Sequence, residues 1–159
     1  KFGRAGSEKY LITGNEAIAI GAVAGGLDAY IAYPMTPATP VLTFLERNQV
    51  KYNILTLQLE NEIAVINAAL GASFAGAKAM VGTSGGGFAL MTEAISLAGM
   101  SELPLVVYLG QRTAPSTGVP TYTGQGDLKF ALNAGHGEFP RIVAAPGDPQ
   151  EATLTYRPN

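Results

Sequence analysis

Short runs suited to strands alternate along the chain with longer segments whose apolar positions recur at helical spacing, the pattern of βαβ units wound on a parallel sheet. A helix is expected over Glu16–Gly25, capped by Asn15 and ended by Gly25-Gly26. Ala29–Tyr33 reads as the first strand, stopped by Pro34. Thr36 followed by Pro37 reads as an N-cap with proline at the first helical position, opening a helix to about Asn48. Ile54–Leu59 is the second strand. Glu60–Ala75 is helical by the recurrence of Ile63, Ile66 and Leu70, with Gly76 closing it. Lys78–Gly82 is a strand leading into Gly85-Gly86-Gly87, after which Phe88–Met100 returns to helical period. Leu103–Leu109, apolar through its interior, fits the buried middle of a parallel sheet. Gln111–Gly126 has no periodicity and reads as a long loop of the kind that tends to be either functional or disordered. A short helix from about Asp127 to Asn133, a strand at Ile142–Ala145 and a helix from Pro149 complete the pattern. The expected fold class is α/β, a parallel sheet of about six strands with helices on both faces.

In such a sheet the ligand crevice lies beyond the carboxyl ends of the strands. The segments belonging there are Tyr33–Pro37, Leu59–Glu62, Thr83–Gly87 and Gly110–Gly118. Within them Glu62 carries the most information. Glu60 and Glu62 both fall in the first turn expected for their helix, where the macrodipole favours a carboxylate, and that alone accounts for either. Two residues of α-helix turn the chain by about 200°, however, so the two cannot share an environment. Glu62 joins the stripe of Ile63, Ile66, Ala69, Leu70 and Ser73, and Glu60 points away. A carboxylate on an apolar stripe needs a partner or must give up its charge. Arg112 opens the long loop at the end of a strand, where a guanidinium suits bidentate capture of a carboxylate, although an exposed surface arginine is the commoner outcome.

The run Thr83-Ser84-Gly85-Gly86-Gly87 occupies a strand-to-helix turn, where glycine permits close backbone approach. Phe88 stands where a P-loop needs lysine, and Leu90 where a dinucleotide fingerprint needs its third glycine, so neither nucleotide motif is met. Gly82-Thr83-Ser84-Gly85-Gly86 does fit the nucleophile elbow of a serine hydrolase, with Asp127 and His136 following in the chain order of that fold. Against it, the acid and the histidine are nine residues apart and no His-Gly-Gly-Gly segment is present. His136 is more simply a loop residue, Tyr122, Phe88 and Met91 more simply packing, and Thr36 no more than a cap.

Composition narrows the partners. The chain has 159 residues, enough for one domain, with 10 Lys+Arg against 12 Asp+Glu and no basic run. Nucleic acid and anionic membranes are therefore not expected as partners. No cysteine and a single histidine leave no ligands for an iron–sulfur cluster and few for a transition metal, so no metal site is assigned to this chain. Apolar stretches are broken by Pro, Gly, Ser and Asn, and no secretory signal is seen, which leads to the expectation of a cytoplasmic protein. A start at Lys1 and a stop at Asn159 suggest a piece of something longer.

Taken together, Tyr33-Pro34-Met35-Thr36-Pro37, the run Glu60–Gly71 headed by Glu62, Thr83–Phe88, and Gly110-Gln111-Arg112 with Gly124-Gln125-Gly126-Asp127 resemble one family. It is the pyrimidine-binding domain in the alpha subunit of 2-oxoacid:ferredoxin oxidoreductases, enzymes that use thiamine diphosphate. The resemblance runs over about residues 10 to 152 and implies that residues 1–159 form a single such domain. The loop with Ser116-Thr117-Gly118 leans toward the 2-oxoglutarate type.

The resemblance implies roles residue by residue. Glu62 matches the glutamate that bonds pyrimidine N1′ and favours the imino tautomer that deprotonates the thiazolium, which makes it catalytic as well as cofactor-binding. Tyr33, Pro34, Gly85 and Gly86 are further cofactor-binding candidates. Thr36 matches a threonine near the substrate carbonyl, and Arg112 an arginine that holds the substrate carboxylate. The implied reaction is oxidative decarboxylation of a 2-oxoacid to an acyl-coenzyme A and CO₂, with electrons passed to ferredoxin. The chain lacks a Gly-Asp-Gly segment with a following Asn, and it lacks cysteine. The resemblance therefore implies a hetero-oligomer in which a beta subunit carries Mg²⁺, the diphosphate site and the iron–sulfur cluster, with the cofactor between the two chains. A serine hydrolase built on Ser84 and a non-catalytic α/β binding domain are the alternatives.

Overall fold

The computed structural model describes residues 10–113 and 126–155. Their chain order is helix α1 (Gly14–Ala24), strand β1 (Ala29–Ala32), α2 (Thr39–Tyr52), β2 (Leu55–Gln58), α3 (Glu62–Phe74), β3 (Ala79–Thr83), α4 (Gly85–Met100), β4 (Val106–Leu109), α5 (Asp127–Asn133) and α6 (Pro149–Thr155). The four strands form one parallel sheet in the order β2-β1-β3-β4, with Ala29 opposite both Leu55 and Ala79, and Met80 opposite Val106.

Alternation of side chains along the central strands divides the core in two. Tyr30, Ala32 and Met80 face one side and pack with α1, α2 and Ala152 of α6. Ile31 and Val81 face the other and pack with Val65, Ile66, Ala69 and Leu70 of α3 and Met91 and Ala94 of α4. Every residue of β1 and β3 is buried, as expected for parallel strands covered on both faces. Helices on both faces of a parallel sheet bear out the expected class.

Several local expectations are corrected. Four strands are present among the described residues, not about six. Residues 142–145 form no strand: Ile142 is 97% exposed and no neighbouring strand accepts its backbone. Leu103–Leu109 is not a central strand, because β4 lies at the sheet's edge with Val106 exposed. The cap of α1 is Thr13, whose hydroxyl accepts from the Glu16 amide while the Glu16 carboxylate accepts from the Thr13 amide. Thr36 does not cap α2. It lies in a turn closed by the Ala38 amide donating to the Met35 carbonyl at 2.8 Å, across a cis Thr36-Pro37 peptide, and α2 begins at Thr39 with Pro40 in its first turn. The glycines after Ser84 are not a turn before a helix but the first turn of α4 itself. Among the described residues no helix is long and apolar enough to cross a membrane.

Candidate functional site

Strand order places the site. The chain leaves β1 toward β2 on one side, then returns past β1 to β3 and continues to β4, so the direction of winding reverses between β1 and β3. At that reversal the segments after adjacent strands separate and open a crevice. Tyr33–Pro37 follows β1, Ser84 and α4 follow β3, and the first turn of α3 closes one wall.

Glu62 sits in that wall. Asn61 caps α3 by accepting from the Ala64 amide at 2.8 Å, which makes Glu62 the first helical residue and fixes where it points. The helix starts two residues later than the hydrophobic pattern suggests, so Glu60 precedes it and is exposed. Ile63 falls outside the buried stripe, which is Glu62, Val65, Ile66, Ala69, Leu70 and Ser73. Glu62 is 4% exposed, and its Oε1 is buried with no hydrogen-bond partner among the described residues. A buried acceptor left open costs on the order of 1–3 kcal/mol, so the position is adapted to a donor that arrives from outside this set of residues.

Gly87, which the sequence reading did not single out, faces that carboxylate. A Cβ there would overlap Thr83 Oγ1 and stand 2.6 Å from Glu62 Cγ and 2.7 Å from Oε1. Thr83, wholly buried, donates to Met35 Sδ at 3.8 Å and so ties the end of β3 to the Tyr33–Pro37 segment. Glu62, Thr83, Gly87 and Met35 are thus brought together. Tyr33 is 37% exposed at the mouth, Pro34 is half-buried and Thr36 is exposed on the same segment.

Gly85 and Gly86 lie half-buried in the first turn of α4. Gly85 is covered from another direction: Asp127 Oδ1 lies 2.5 Å from where its Cβ would stand. Asp127 is 7% exposed. Burial pushes its carboxyl above the ordinary aspartate value, and the positive charge of half-buried Arg112 draws it part of the way back. Arg112 therefore stands within electrostatic reach of the α4 N-terminus, at the same end of the sheet as Glu62. The rest of the long loop, with Ser116-Thr117-Gly118, Tyr122, Gly124 and Gln125, lies outside the described residues.

The structure does not assemble a hydrolase triad. Ser84 is fully buried, and its Oγ has no hydrogen-bond partner among the described residues. The His136 amide donates to Ser96 Oγ at 2.7 Å, twelve residues along α4 from Ser84 and hence about 18 Å away at 1.5 Å per residue. An exposed histidine at the far end of that helix cannot activate the serine.

A cofactor ring is what the donor set fits. One open carboxylate oxygen in an otherwise apolar wall, with a glycine that keeps the space beside it clear, suits a neutral heterocycle bearing a protonatable nitrogen. Diphosphate would need cations or a bound metal, and Thr83, Gly87 and Met35, the described residues brought to Glu62, carry no charge.

Comparison with known proteins agrees with that geometry. Residues 20–156 match the family described as pyruvate flavodoxin/ferredoxin oxidoreductase, thiamine diphosphate-binding. The 2-oxoacid:ferredoxin oxidoreductase subunit alpha of Saccharolobus solfataricus is 48% identical over 157 residues, covering 91% of this chain and 25% of that protein. The 2-oxoglutarate oxidoreductase subunit KorA of Mycobacterium tuberculosis is 45% identical, covering 91% of this chain and 23% of its own length. A solved structure of 2-oxoglutarate:ferredoxin oxidoreductase from Magnetococcus marinus, with 2-oxoglutarate, coenzyme A and succinyl-CoA bound, superposes with a TM-score of 0.84 at 44% identity, over 91% of this chain and 26% of that one. The chain thus spans about a quarter of the length of these relatives. With an orphaned buried carboxylate at the reversal of a parallel sheet and a family match over most of its length, the chain belongs to the thiamine diphosphate-binding domain family of the pyruvate flavodoxin/ferredoxin oxidoreductases.

Proposed function

We propose that this chain is the pyrimidine-binding part of the alpha subunit of a 2-oxoacid:ferredoxin oxidoreductase. The enzyme converts a 2-oxoacid and coenzyme A to an acyl-coenzyme A and CO₂, passing two electrons to ferredoxin. The single observation that carries the reading is Glu62, buried at the start of α3 with an open Oε1. The relatives' names and the ligands bound in the M. marinus enzyme support it.

When bound, thiamine diphosphate supplies a carbon nucleophile and an electron sink for decarboxylation. Glu62 holds a ring nitrogen of the pyrimidine through Oε1. Its burial keeps bulk water from Oε1, the atom that would hold the proton shared with that nitrogen. Gly87 keeps the space beside the carboxylate clear, and Thr83 fixes the floor through Met35. Tyr33, Pro34, Gly85 and Gly86 line the same crevice as cofactor contacts. Thr36 and Arg112 face the substrate, Arg112 as the receptor for the 2-oxoacid carboxylate. A beta subunit brings the diphosphate site, Mg²⁺ and an iron–sulfur cluster, so catalysis belongs to the cytoplasmic hetero-oligomer.

Glu62→Gln keeps the shape of the side chain and removes its ability to take a proton. In the assembled enzyme it lowers 2-oxoacid-dependent ferredoxin reduction by about 100-fold or more, the usual scale for a lost acid–base group. Full activity in an assembled Glu62→Gln enzyme overturns the assignment.

A further inference from the structure

We propose that Asn15 is a positioning residue that sets the place of Thr36 in the substrate site. This rests on the reading above, in which Thr36 touches the 2-oxoacid. Asn15 lies in the first turn of α1, where a polar side chain ordinarily serves its own helix, but the Thr13–Glu16 capping box already does so. The Asn15 amide instead spans the fold. Its Nδ2 donates to the carbonyl of Pro37 at 3.1 Å, 22 residues away, and its Oδ1 accepts from the hydroxyl of Tyr108 at 2.7 Å, 93 residues away. Because a carbonyl can only accept, Nδ2 must face Pro37, and that orientation leaves Oδ1 for the tyrosine. Burial pushes the Tyr108 phenol above its ordinary range, which keeps it a neutral donor at physiological pH.

Pro37 is the residue next to Thr36. Its segment is held at three points: Met35 Sδ by Thr83, the Met35 carbonyl by the Ala38 amide, and the Pro37 carbonyl by Asn15. Gly110, just past β4, closes behind it, since a Cβ there would stand 3.2 Å from the Ala38 nitrogen and 3.3 Å from Pro37 Cγ. The Asn15 side chain links the Pro37 carbonyl, one residue past Thr36, to the helix layer and to Tyr108 of β4, the strand after which Arg112 follows. Tyr108, Asn15 and Pro37 therefore form a strut that registers the candidate carboxylate receptor against the candidate carbonyl contact.

The test uses the assembled enzyme with 2-oxoglutarate as substrate, and the variants Asn15→Ala, Tyr108→Phe, Thr36→Ala and the double variant at positions 15 and 36. Asn15→Ala raises KM about tenfold, the worth of one net hydrogen bond, with kcat changed less than about threefold. Tyr108→Phe, which removes one hydroxyl from a side chain of the same shape, raises KM in the same direction by less. In the Thr36→Ala background, Asn15→Ala has no further effect on KM, because residues acting through one another do not add. Independently of turnover, hydrogen exchange in the peptide spanning 33–39 quickens in Asn15→Ala while affinity for thiamine diphosphate is unchanged. Additive effects on KM, an unchanged KM in Thr36→Ala, unaltered exchange over 33–39, or a joint fall in kcat and cofactor affinity each overturn the proposal. These outcomes are read in an enzyme whose Glu62→Gln variant is inactive, so they are separable from failure of the cofactor assignment.

Discussion

Asp127 holds its proton to higher pH than an ordinary aspartate because burial penalises its charge more than Arg112 favours it. The native state therefore binds more protons than the unfolded chain between the ordinary value of 3.8 and the raised folded value. Stability from this group is fully present below that window and is lost as pH rises through it. Asp127→Asn, which cannot ionise, is expected to flatten the dependence and to melt higher than the parent at neutral pH, with the two converging near pH 3, as followed by thermal unfolding across a pH series. Melting curves that stay parallel at every pH would refute this origin of the shift. At the same scale, sequence alone exposed Glu62, because one acid on an apolar helical stripe is visible in a single segment. It did not expose Gly87, since three successive glycines give no sign of which one meets a carboxylate. Nor did it expose what Asn15, read there as a helix cap, bonds instead, since its partners lie 22 and 93 residues away.

Each helix or strand was legible where its cause is local and blurred where the cause is a neighbour. The first turn of α3 depends on one side chain: Asn61 accepts from the Ala64 amide and sets the residue at which Glu62 enters the helix. Asn61→Ala is expected to cost about 1 kcal/mol, read as a lowered midpoint in urea with an unchanged slope. A loss indistinguishable from zero would mean that tertiary packing alone starts the helix. The short α5 and the start of α6 at Pro149 follow the pattern read from sequence, because turn chemistry punctuates them on both sides. Strand β4 does not, because an apolar run is the same whether one strand or two lie beside it, and only the order β2-β1-β3-β4 makes it an edge. Residues 142–145 show the converse, strand-like composition with no partner. Arg141 anchors that stretch instead, donating to the carbonyls of Ala131 and Ala134 at 3.0 and 2.6 Å.

Across the molecule, polarity is unevenly spread. Helices α3 and α4 carry one charged residue each, Glu62 and Glu93, and helices that are apolar around their circumference are normally covered. On their outer sides Ile63, Phe74, Leu90, Leu97 and Met100 are exposed, Phe74 to 82%. The chain by itself is therefore expected to self-associate, sedimenting as more than a monomer at tens of micromolar. Phe74→Glu, at a position contributing little to the interior, should shift it toward the monomer with its circular dichroism unchanged. A parent chain that sediments as a monomer throughout that range would contradict the expectation.

The sheet that separates the two cores has a further consequence, for how such a protein can change over time. Proposed chemistry gathers at one end of the strands and against the α3–α4 layer, whereas α1 and α6 meet on the opposite flank, where the Thr153 carbonyl lies 2.5 Å from the position a Cβ on Gly21 would take. Replacements on that flank can retune heat tolerance with little echo in turnover, except at Asn15, whose side chain reaches the Pro37 carbonyl and the Tyr108 hydroxyl. Natural variation ought to accumulate freely behind the wall and sparingly at that residue.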